Sequence, residues 1–344
     1  MPMTQRIRTA LLGFGHAGSI FHAPAIASLP DFALDVIVTS NPQRQAQARA
    51  AYPQARVIDR AVWAASQLDV DLVVVGTPPA THGGLTRDAL EAGCAVVVDK
   101  PFTVTSAEGE ELIALARERG LLLTTYQNRR WDAEILTVKK LMEQGRLGHV
   151  RRFESRLERW QPVITKEWKA KATVASGGGI LFDLGTHLID QALQLFGPAT
   201  RVYGELAARR PQELADDDAF VALEHVGGVI SHLWMNLNAP QLGPRLRVVG
   251  SEASYTKQTA DIQESQLMAG LAPGDPRYGV DPQENWGLLG RDGTLELVPT
   301  ERASFGRFYE LLAEAILRGG PVPVNPADSV AALRIIEKIR AQVG

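Results

Sequence analysis

The sequence predicts an α/β fold in two parts. An N-terminal doubly wound parallel sheet is followed by an α/β domain with a large, mostly antiparallel, open-faced sheet. Three observations carry this expectation. Over the first 127 residues, short strands rich in Val, Ile and Leu alternate with helical stretches, the pattern of parallel strands joined by crossover helices. After Gly148 the apolar period becomes two, with a hairpin turn at Gly227-Gly228, which marks antiparallel strands with one open face. A chain of 344 residues also exceeds what one ordinary core serves. The expected division is 1–127 and 128–325, with a C-terminal helix over 326–342.

In chain order, "IRTALL" reads as a first strand, followed by the glycine turn "GFGHAG" and a helix through "SIFHAPAIASL" that Pro24 complicates. "ALDVIVTS" is a strand and "PQRQAQARAAY" a helix. "VDLVVVGT" is wholly apolar, as a strand buried on both faces must be. "HGGLTRDALEAG" is a helix closed by Gly93, and "AVVVDK" the next apolar strand. "SAEGEELIALARERG" is a helix with Ser106 as N-cap, and "LLLTTYQ" completes the first sheet. A bridging helix, "AEILTVKKLMEQG", leads to the alternating strand "VRRFESRLERW" and a glycine-led helix over 179–196. Then come the strands "TRVYGELAAR", "AFVALEH", "VISHLWMN", "RLRVVGS" and "TLELVP". The polar, Gly/Pro-rich stretch 257–290 reads as a long loop, and the "DDD" at 216–218 as a solvated turn. Two helices close the chain; in the last, Ala331, Ile335 and Ile339 repeat at helical spacing as a core stripe.

Composition excludes several classes of partner. Lys+Arg number 36 against Asp+Glu 39, so no cationic excess suits nucleic acid or an anionic membrane. No stretch approaches the roughly 20 apolar residues of a membrane helix, and the N-terminus lacks the apolar run of a signal peptide. The single cysteine, Cys94, cannot form an internal disulfide and precedes an apolar strand, so it reads as a buried inert thiol. A cytoplasmic location is expected.

Gly13, Gly15 and Gly18 match G-x-G-x-x-G between a strand and a helix, the setting in which the pattern has a mechanism. Gly13 permits the tight turn, Gly15 close approach of a pyrophosphate, and Gly18 close helix–sheet packing. The turn residues Phe14, His16 and Ala17 lie with them, and free N–H groups at the helix start hold phosphate charge. A ligand-free glycine turn is the alternative. Dinucleotide sites that take NAD place an acid about 20 residues on, for the ribose 2′-OH. Here "VTSNPQR" offers none. Ser40 and Asn41 can hydrogen-bond a 2′-phosphate and Arg44 can pair with it, so NADP is expected in preference to NAD. A solvated Arg44 is the bland alternative. Thr77, Pro78 and Pro79 end the apolar third strand, where open α/β sheets place ligands. Gln127 and Asn128 close the last strand of the first domain and face the nicotinamide or substrate.

The segment "GGGILFDLGTHLID" poses a different question. At about 100° per residue, Asp183, His187 and Asp190 form one polar stripe on an otherwise apolar helix. Three readings stand: a structural network in which Asp190 satisfies His187, a metal site of imidazole and carboxylates, or acid–base catalysis. A neighbouring nicotinamide and Lys100 favour the third. Oxidising a secondary alcohol removes a hydride from carbon and a proton from oxygen. Imidazole, with an ordinary pKa of about 6.5, handles that proton near neutrality. Lys100 can hydrogen-bond the same oxygen, and Asp183 an adjacent hydroxyl.

With these residues in place, "GFGHAGSIFHAP", "TPPATH", "DKPFT", "QNRRWD" and "GGGILFDLGTHLIDQ" resemble successive blocks of one branch of the glucose–fructose oxidoreductase / inositol dehydrogenase (Gfo/Idh/MocA) family. The blocks span nearly the whole chain, although the part after Gly197 carries little of the signal. The resemblance implies a Rossmann domain followed by an α/β domain whose open sheet joins subunits into a homodimer or homotetramer. It also implies that the C-terminal helix packs back on the first domain. The family's usual E-K-P stands here as Asp99-Lys100-Pro101, one methylene shorter at the acid; a cis bond before Pro101 is typical of relatives. The resemblance makes His187 the proton-transfer residue with Lys100 its partner, and places His82 near the cofactor, where a capping role is the alternative. His22 either lines the pocket or packs the first helix. Arg129, Arg130 and Trp131 either contact substrate or pack between domains, and Trp160, Lys166, Trp168 and Lys169 suit a sugar lid. His225 and His232 read as structural. The expected activity is an NADP(H)-preferring dehydrogenase of a sugar, inositol or related polyol. A non-catalytic dinucleotide sensor of the same fold, or a reductase of a non-sugar substrate, is the alternative.

Overall fold

The computed structural model describes residues 6–60, 69–164 and 170–343. They form two compact units. The first combines the chain up to Asn128 with Gln263–Tyr278 and Ser304–Val330; the second combines Arg129–Ile262, Gly279–Ala303 and the chain from Ala331.

In the first unit six described strands make one sheet: β1 (Ile7–Leu12), β2 (Phe32–Val38), β3 (Arg56–Ile58), β4 (Leu72–Val75), β5 (Ala95–Asp99) and β6 (Leu123–Tyr126). Their order is β3-β2-β1-β4-β5-β6 and every pairing is parallel. All four residues of β4 are buried, as a central strand covered on both faces requires. The order reverses between β1 and β4, and that reversal opens a crevice beyond the carboxyl ends of the two strands. β3 has only three residues, too few for a periodic signal.

Two expectations are corrected. The helix Ser106–Glu118 is capped by Thr105 and not by Ser106. The Thr105 hydroxyl accepts the Glu108 N–H at 3.2 Å, and its backbone is extended while Ser106 already lies in the helix. The stretch 257–290 is more than a loop: it holds the helix Gln263–Met268 and the start of a strand at Gly287. The helix Gly306–Arg318 also belongs to this unit. It completes an aromatic core in which Tyr126 meets Phe308 edge-on at 4.9 Å and Phe32 meets Tyr309 at 5.7 Å.

The second unit is built on eight described strands: β7 (Val150–Glu158), β8 (Ala199–Ala207), β9 (Asp218–His225), β10 (Ile230–Asn236), β11 (Leu246–Gly250), β12 (Ser254–Lys257), β13 (Gly287–Arg291) and β14 (Thr294–Val298). Their order is β14-β13-β12-β11-β7-β10-β9-β8. Every neighbouring pair is antiparallel except β7 with β10. Burial alternates along β9 and β10, so Val221, Leu223, Leu233 and Met235 enter the core. The opposite face carries Arg152, Arg156, Phe220, His232 and Trp234, with the Arg156 guanidinium 3.8 Å from the Trp234 ring centre. The helix Thr186–Phe196 is buried on most of its surface. The C-terminal helix Pro326–Val343 is shared between the units, changing at Val330/Ala331.

Candidate active site

The glycine turn sits at the carboxyl end of β1, and sterics explain each glycine. Gly13 has φ +95°, and a Cβ there would stand 2.5 Å from the Gly76 carbonyl oxygen at the end of β4. A Cβ on Gly18 would collide with the Gly13 carbonyl. These two glycines close the turn on the switch point. Gly15 is different: a Cβ there would meet only the Arg44 guanidinium, at 3.6 Å. Its outer side is space that a ligand can enter, with a cation already beside it. The turn passes into a π-type segment, Ala17–His22, which continues as the helix Ala23–Ser28; no side chain caps the first turn. A π-type turn holds i→i+5 bonds and is common at functional sites. It also accommodates Pro24 near the start of the regular helix, where its missing N–H costs little.

Around that turn the expected residues take distinct places. Asn41 is the N-cap of the helix Pro42–Ala51, accepting the Arg44 N–H at 3.0 Å, and Arg44 reaches back toward Gly15. Ser40 donates to Asp59 at 3.2 Å. Asp59 follows β3, whose brevity hid it from the sequence reading. Thr77 and Thr81 hydroxyls lie 2.7 Å apart just after β4, with Pro78 and Pro79 between them. His82 is buried, its ring nitrogens 2.8 Å from the Thr77 carbonyl and 2.7 Å from the Pro101 carbonyl. His16 faces Glu264 of the helix Gln263–Met268 at 3.2 Å.

Lys100 follows β5 and is half-buried, and the Lys100–Pro101 bond is cis. Its N–H donates to Asp99 Oδ1 at 2.7 Å. Asp99 Oδ2 stands 3.9 Å from His22 Nε2, while His22 Nδ1 meets the Tyr309 hydroxyl at 2.7 Å. His22 therefore belongs to the buried surroundings of Asp99. Burial raises the Asp99 carboxyl, but the His22 contact and the positive charge of His22, Lys100 and His82 outweigh it and hold it below the ordinary aspartate value. Gln127 and Asn128 are buried at the end of β6.

In the second unit the glycine-led segment is π-type over Leu181–Gly185 and regular from Thr186 to Phe196. The polar stripe assumed a regular helix throughout; the wide turn breaks that phase ahead of His187. Asp183 is half-buried, His187 is 4% exposed and Asp190 is 1% exposed. Asp190 takes its bonds from Arg130, at 2.8 and 2.6 Å in a bidentate pair, so the idea that it serves only to satisfy His187 is corrected. Gln191 donates to the Arg129 carbonyl at 2.8 Å, which fixes the chain after Asn128 against this helix.

The start of the helix depends on Asp216. Its Oδ2 accepts the Leu181 N–H at 2.8 Å, its backbone carbonyl accepts the Ile180 N–H at 2.7 Å, and its Oδ1 takes Arg340 at 2.6 Å. Gly179, at φ +104°, leaves the room that this carboxylate occupies. Asp217 is also fully buried and accepts the backbone N–H groups of Arg209 and Arg210. Asp216 and Asp217 are thus buried acceptors of backbone N–H groups, Asp216 at this helix start and Asp217 at the Arg209–Arg210 turn, while Asp218 opens β9 half-buried, which corrects the solvated turn; an acid run on its own does not tell which N–H groups it serves. The other end of the helix is held by His225, 2.7 Å from the Gly197 carbonyl and 2.8 Å from the Ser231 hydroxyl. Lys166, Trp168 and Lys169 lie outside the described residues.

A parallel sheet with this strand order and a glycine cradle at its switch point defines a Rossmann-type dinucleotide-binding α/β fold. Residues 7–127 match the oxidoreductase family with NAD-binding Rossmann fold, and residues 135–256 match the GFO/IDH/MocA C-terminal domain. The chain is 34% identical over 335 residues to scyllo-inositol 2-dehydrogenase (NADP(+)) IolW of Bacillus subtilis (strain 168), covering 96% of this chain and 92% of that protein. It is 36% identical over 346 residues to the uncharacterized oxidoreductase YdgJ of Escherichia coli (strain K12), covering 97% and 96%. Among solved structures, yvaA from Bacillus subtilis superposes with a TM-score of 0.92 at 32% identity, covering 99% of this chain and 97% of that one. The chain belongs to the Gfo/Idh/MocA oxidoreductase family. No helix among the described residues is long and apolar enough to cross a membrane.

Proposed function

We propose that this oxidoreductase is an NADP(H)-preferring dehydrogenase acting on a CH–OH or C=O group of a sugar, inositol or related polyol. The observation that carries the cofactor preference is the Arg44 guanidinium beside Gly15, at a β2 end with no acid of its own. The similarity to an NADP(+)-dependent scyllo-inositol dehydrogenase supports both the cofactor and the polyol.

The cradle fits a dinucleotide: Gly13, its own N–H bonded to the Val38 carbonyl, closes the turn, Phe14, Gly15, His16, Ala17 and Gly18 line it toward phosphate, and Ser40, Asn41 and Arg44 take the adenosine ribose end. Thr77, Pro78, Pro79, Asp99, Lys100 and Gln127 take the nicotinamide end, and the buried His82 stands behind them near the cofactor without touching it. When bound, the cofactor accepts or supplies the hydride. His187 transfers the proton of the substrate hydroxyl, Lys100 hydrogen-bonds the same oxygen and stabilises its developing charge, and Asp183 binds an adjacent hydroxyl. Asn128, Arg129 and Trp168 contact the remaining hydroxyls. Subunits associate through the open sheet as a homodimer or homotetramer, in the cytoplasm.

NAD is the second reading, and Asp59 favours it: a carboxylate 3.2 Å from Ser40 offers an acceptor to a 2′-hydroxyl and repels a 2′-phosphate. The deciding experiment runs a panel of inositols and sugars with NADP+ and NAD+, following absorbance of the reduced nicotinamide. Higher kcat/KM with NADP+ on at least one polyol is expected. No turnover on any polyol, or a clear NAD+ preference, overturns the corresponding half of the proposal. His187→Ala should lose roughly 10²–10⁴-fold in kcat while keeping its affinity for NADPH; full activity in it removes the proton role.

A further inference from the structure

His82 is a buried ring held between two backbone carbonyls, those of Thr77 and Pro101. These carbonyls lie just beyond two adjacent parallel strands, β4 and β5. A carbonyl oxygen only accepts and a neutral imidazole carries one N–H, so the ring bonds one of the two carbonyls as a neutral group and both only when each nitrogen holds a proton; in either form it stands as a spacer between the two strand ends. Its own base is firm. His82 opens a helix immediately after the turn Pro79–Thr81, and the next residue, Gly83, lies against the Glu108 carboxylate of the following helix. The Pro101 carbonyl is one residue past Lys100, whose N–H is already fixed by Asp99 Oδ1. The Lys100 backbone is therefore held on its near side by Asp99 and on its far side by His82, and its long side chain projects from that fixed base.

We infer that His82 is a positioning residue for Lys100. It acts through an Nδ1–H bond to the Pro101 carbonyl, with Nε2 packed against the Thr77 carbonyl on the other side. This inference rests on the assignment of Lys100 to the hydroxyl oxygen. A lysine has four side-chain torsions, and a displaced base moves its ammonium group by more than the displacement itself. A misplacement of about 1 Å in such a group costs up to roughly 10²-fold in rate.

Asparagine and glutamine separate the two arms. Asn places an amide donor where the Nδ1 atom stands, toward Pro101; Gln places one where Nε2 stands, toward Thr77. The experiment compares wild type, His82→Leu, His82→Asn, His82→Gln and Lys100→Met. It measures kcat with NADP+ and the polyol giving the highest wild-type rate, NADPH affinity by fluorescence titration, and Tm. The expected result is a kcat loss of about tenfold to 10²-fold in H82L and H82Q, substantial recovery in H82N, and NADPH affinity within a few-fold of wild type in all three. Wild-type kcat in H82L beside a loss in K100M overturns the inference alone. So does a loss in which H82N and H82Q fall equally and NADPH affinity and Tm fall with them, because the ring is then general support. Full turnover in K100M overturns the assignment of Lys100 itself, whatever His82 does.

Discussion

Two glycine-led helix starts, one in each unit, are built from the same parts and put to opposite uses. In the first unit, glycines precede the π-type segment Ala17–His22; in the second, they precede the π-type segment Leu181–Gly185. Both then become regular helix. The first start carries no side-chain cap and leaves clear space over Gly15, with Arg44 beside it. The second is capped by the chain's own carboxylate, Asp216, which fills the space that Gly179 leaves. A helix start needs negative charge or hydrogen-bond acceptors for its free N–H groups. On the proposed reading the first unit takes them from the cofactor phosphate, whereas the second supplies them itself through Asp216. On that reading the same local geometry serves binding in one unit and preorganisation in the other.

The sharpest way to break this contrast is to remove the internal anion. Asp216→Ala strips the Leu181 N–H of its acceptor and leaves Arg340 without its carboxylate, so stability should fall by about 3 kcal/mol, measured by urea unfolding. An unchanged midpoint would show that the cap is dispensable. Next come the two glycines. Gly179→Ala forces a side chain into φ +104° against Asp216 and should cost about 2 kcal/mol or more of stability. Gly15→Ala has room and no positive φ, so it should keep its Tm yet bind NADPH at least tenfold more weakly, read by fluorescence titration. If Gly15→Ala unfolds the protein and Gly179→Ala does not, the two uses have been assigned the wrong way round.

A smaller effect follows from giving the first unit a carboxylate of its own. Ser40→Asp should move the NADP/NAD ratio of kcat/KM toward NAD by roughly tenfold, because a ligand phosphate and a fixed carboxylate compete for one place. An unchanged ratio would place the selectivity elsewhere. The smallest concerns the far end of the second helix. Burial lowers the His225 imidazole below its ordinary value. Between the unfolded value of about 6.5 and that lower folded value, the unfolded chain binds the extra proton, so stability falls as pH falls through this window. His225→Gln should narrow the Tm difference between pH 8 and pH 5.5; an identical difference would mean that His225 titrates alike in both states.

Much of this was legible in the sequence because it rests on local rules. Gly13, Gly15 and Gly18 declare themselves by spacing and by the strand before them. The apolar runs of β4 and β5 reveal parallel strands, and period-2 alternation in β9 and β10 reveals the open sheet. What escaped rests on long-range partners. Asp216 lies 35 residues from the N–H it caps, and Arg130 lies 60 residues from Asp190. Asp59 follows a three-residue strand that no periodicity can mark. The helix Gln263–Met268 hid among polar and Gly/Pro residues, since one and a half turns with a polar composition give no amphipathic pattern.

That helix has a consequence for how the protein is made. Glu264 meets His16 across 248 residues, Gln263 accepts the Phe305 N–H, and Phe305 packs on Phe21. The nucleotide-binding unit is therefore assembled from three separated stretches, the last ending at Val330. A nascent chain released from the ribosome at residue 128 would carry the six described parallel strands and still lack the pieces that pack beside its glycine turn. During synthesis, the first half must wait with an unfinished aromatic core until nearly the whole polypeptide has emerged, which ties its maturation to completion of translation.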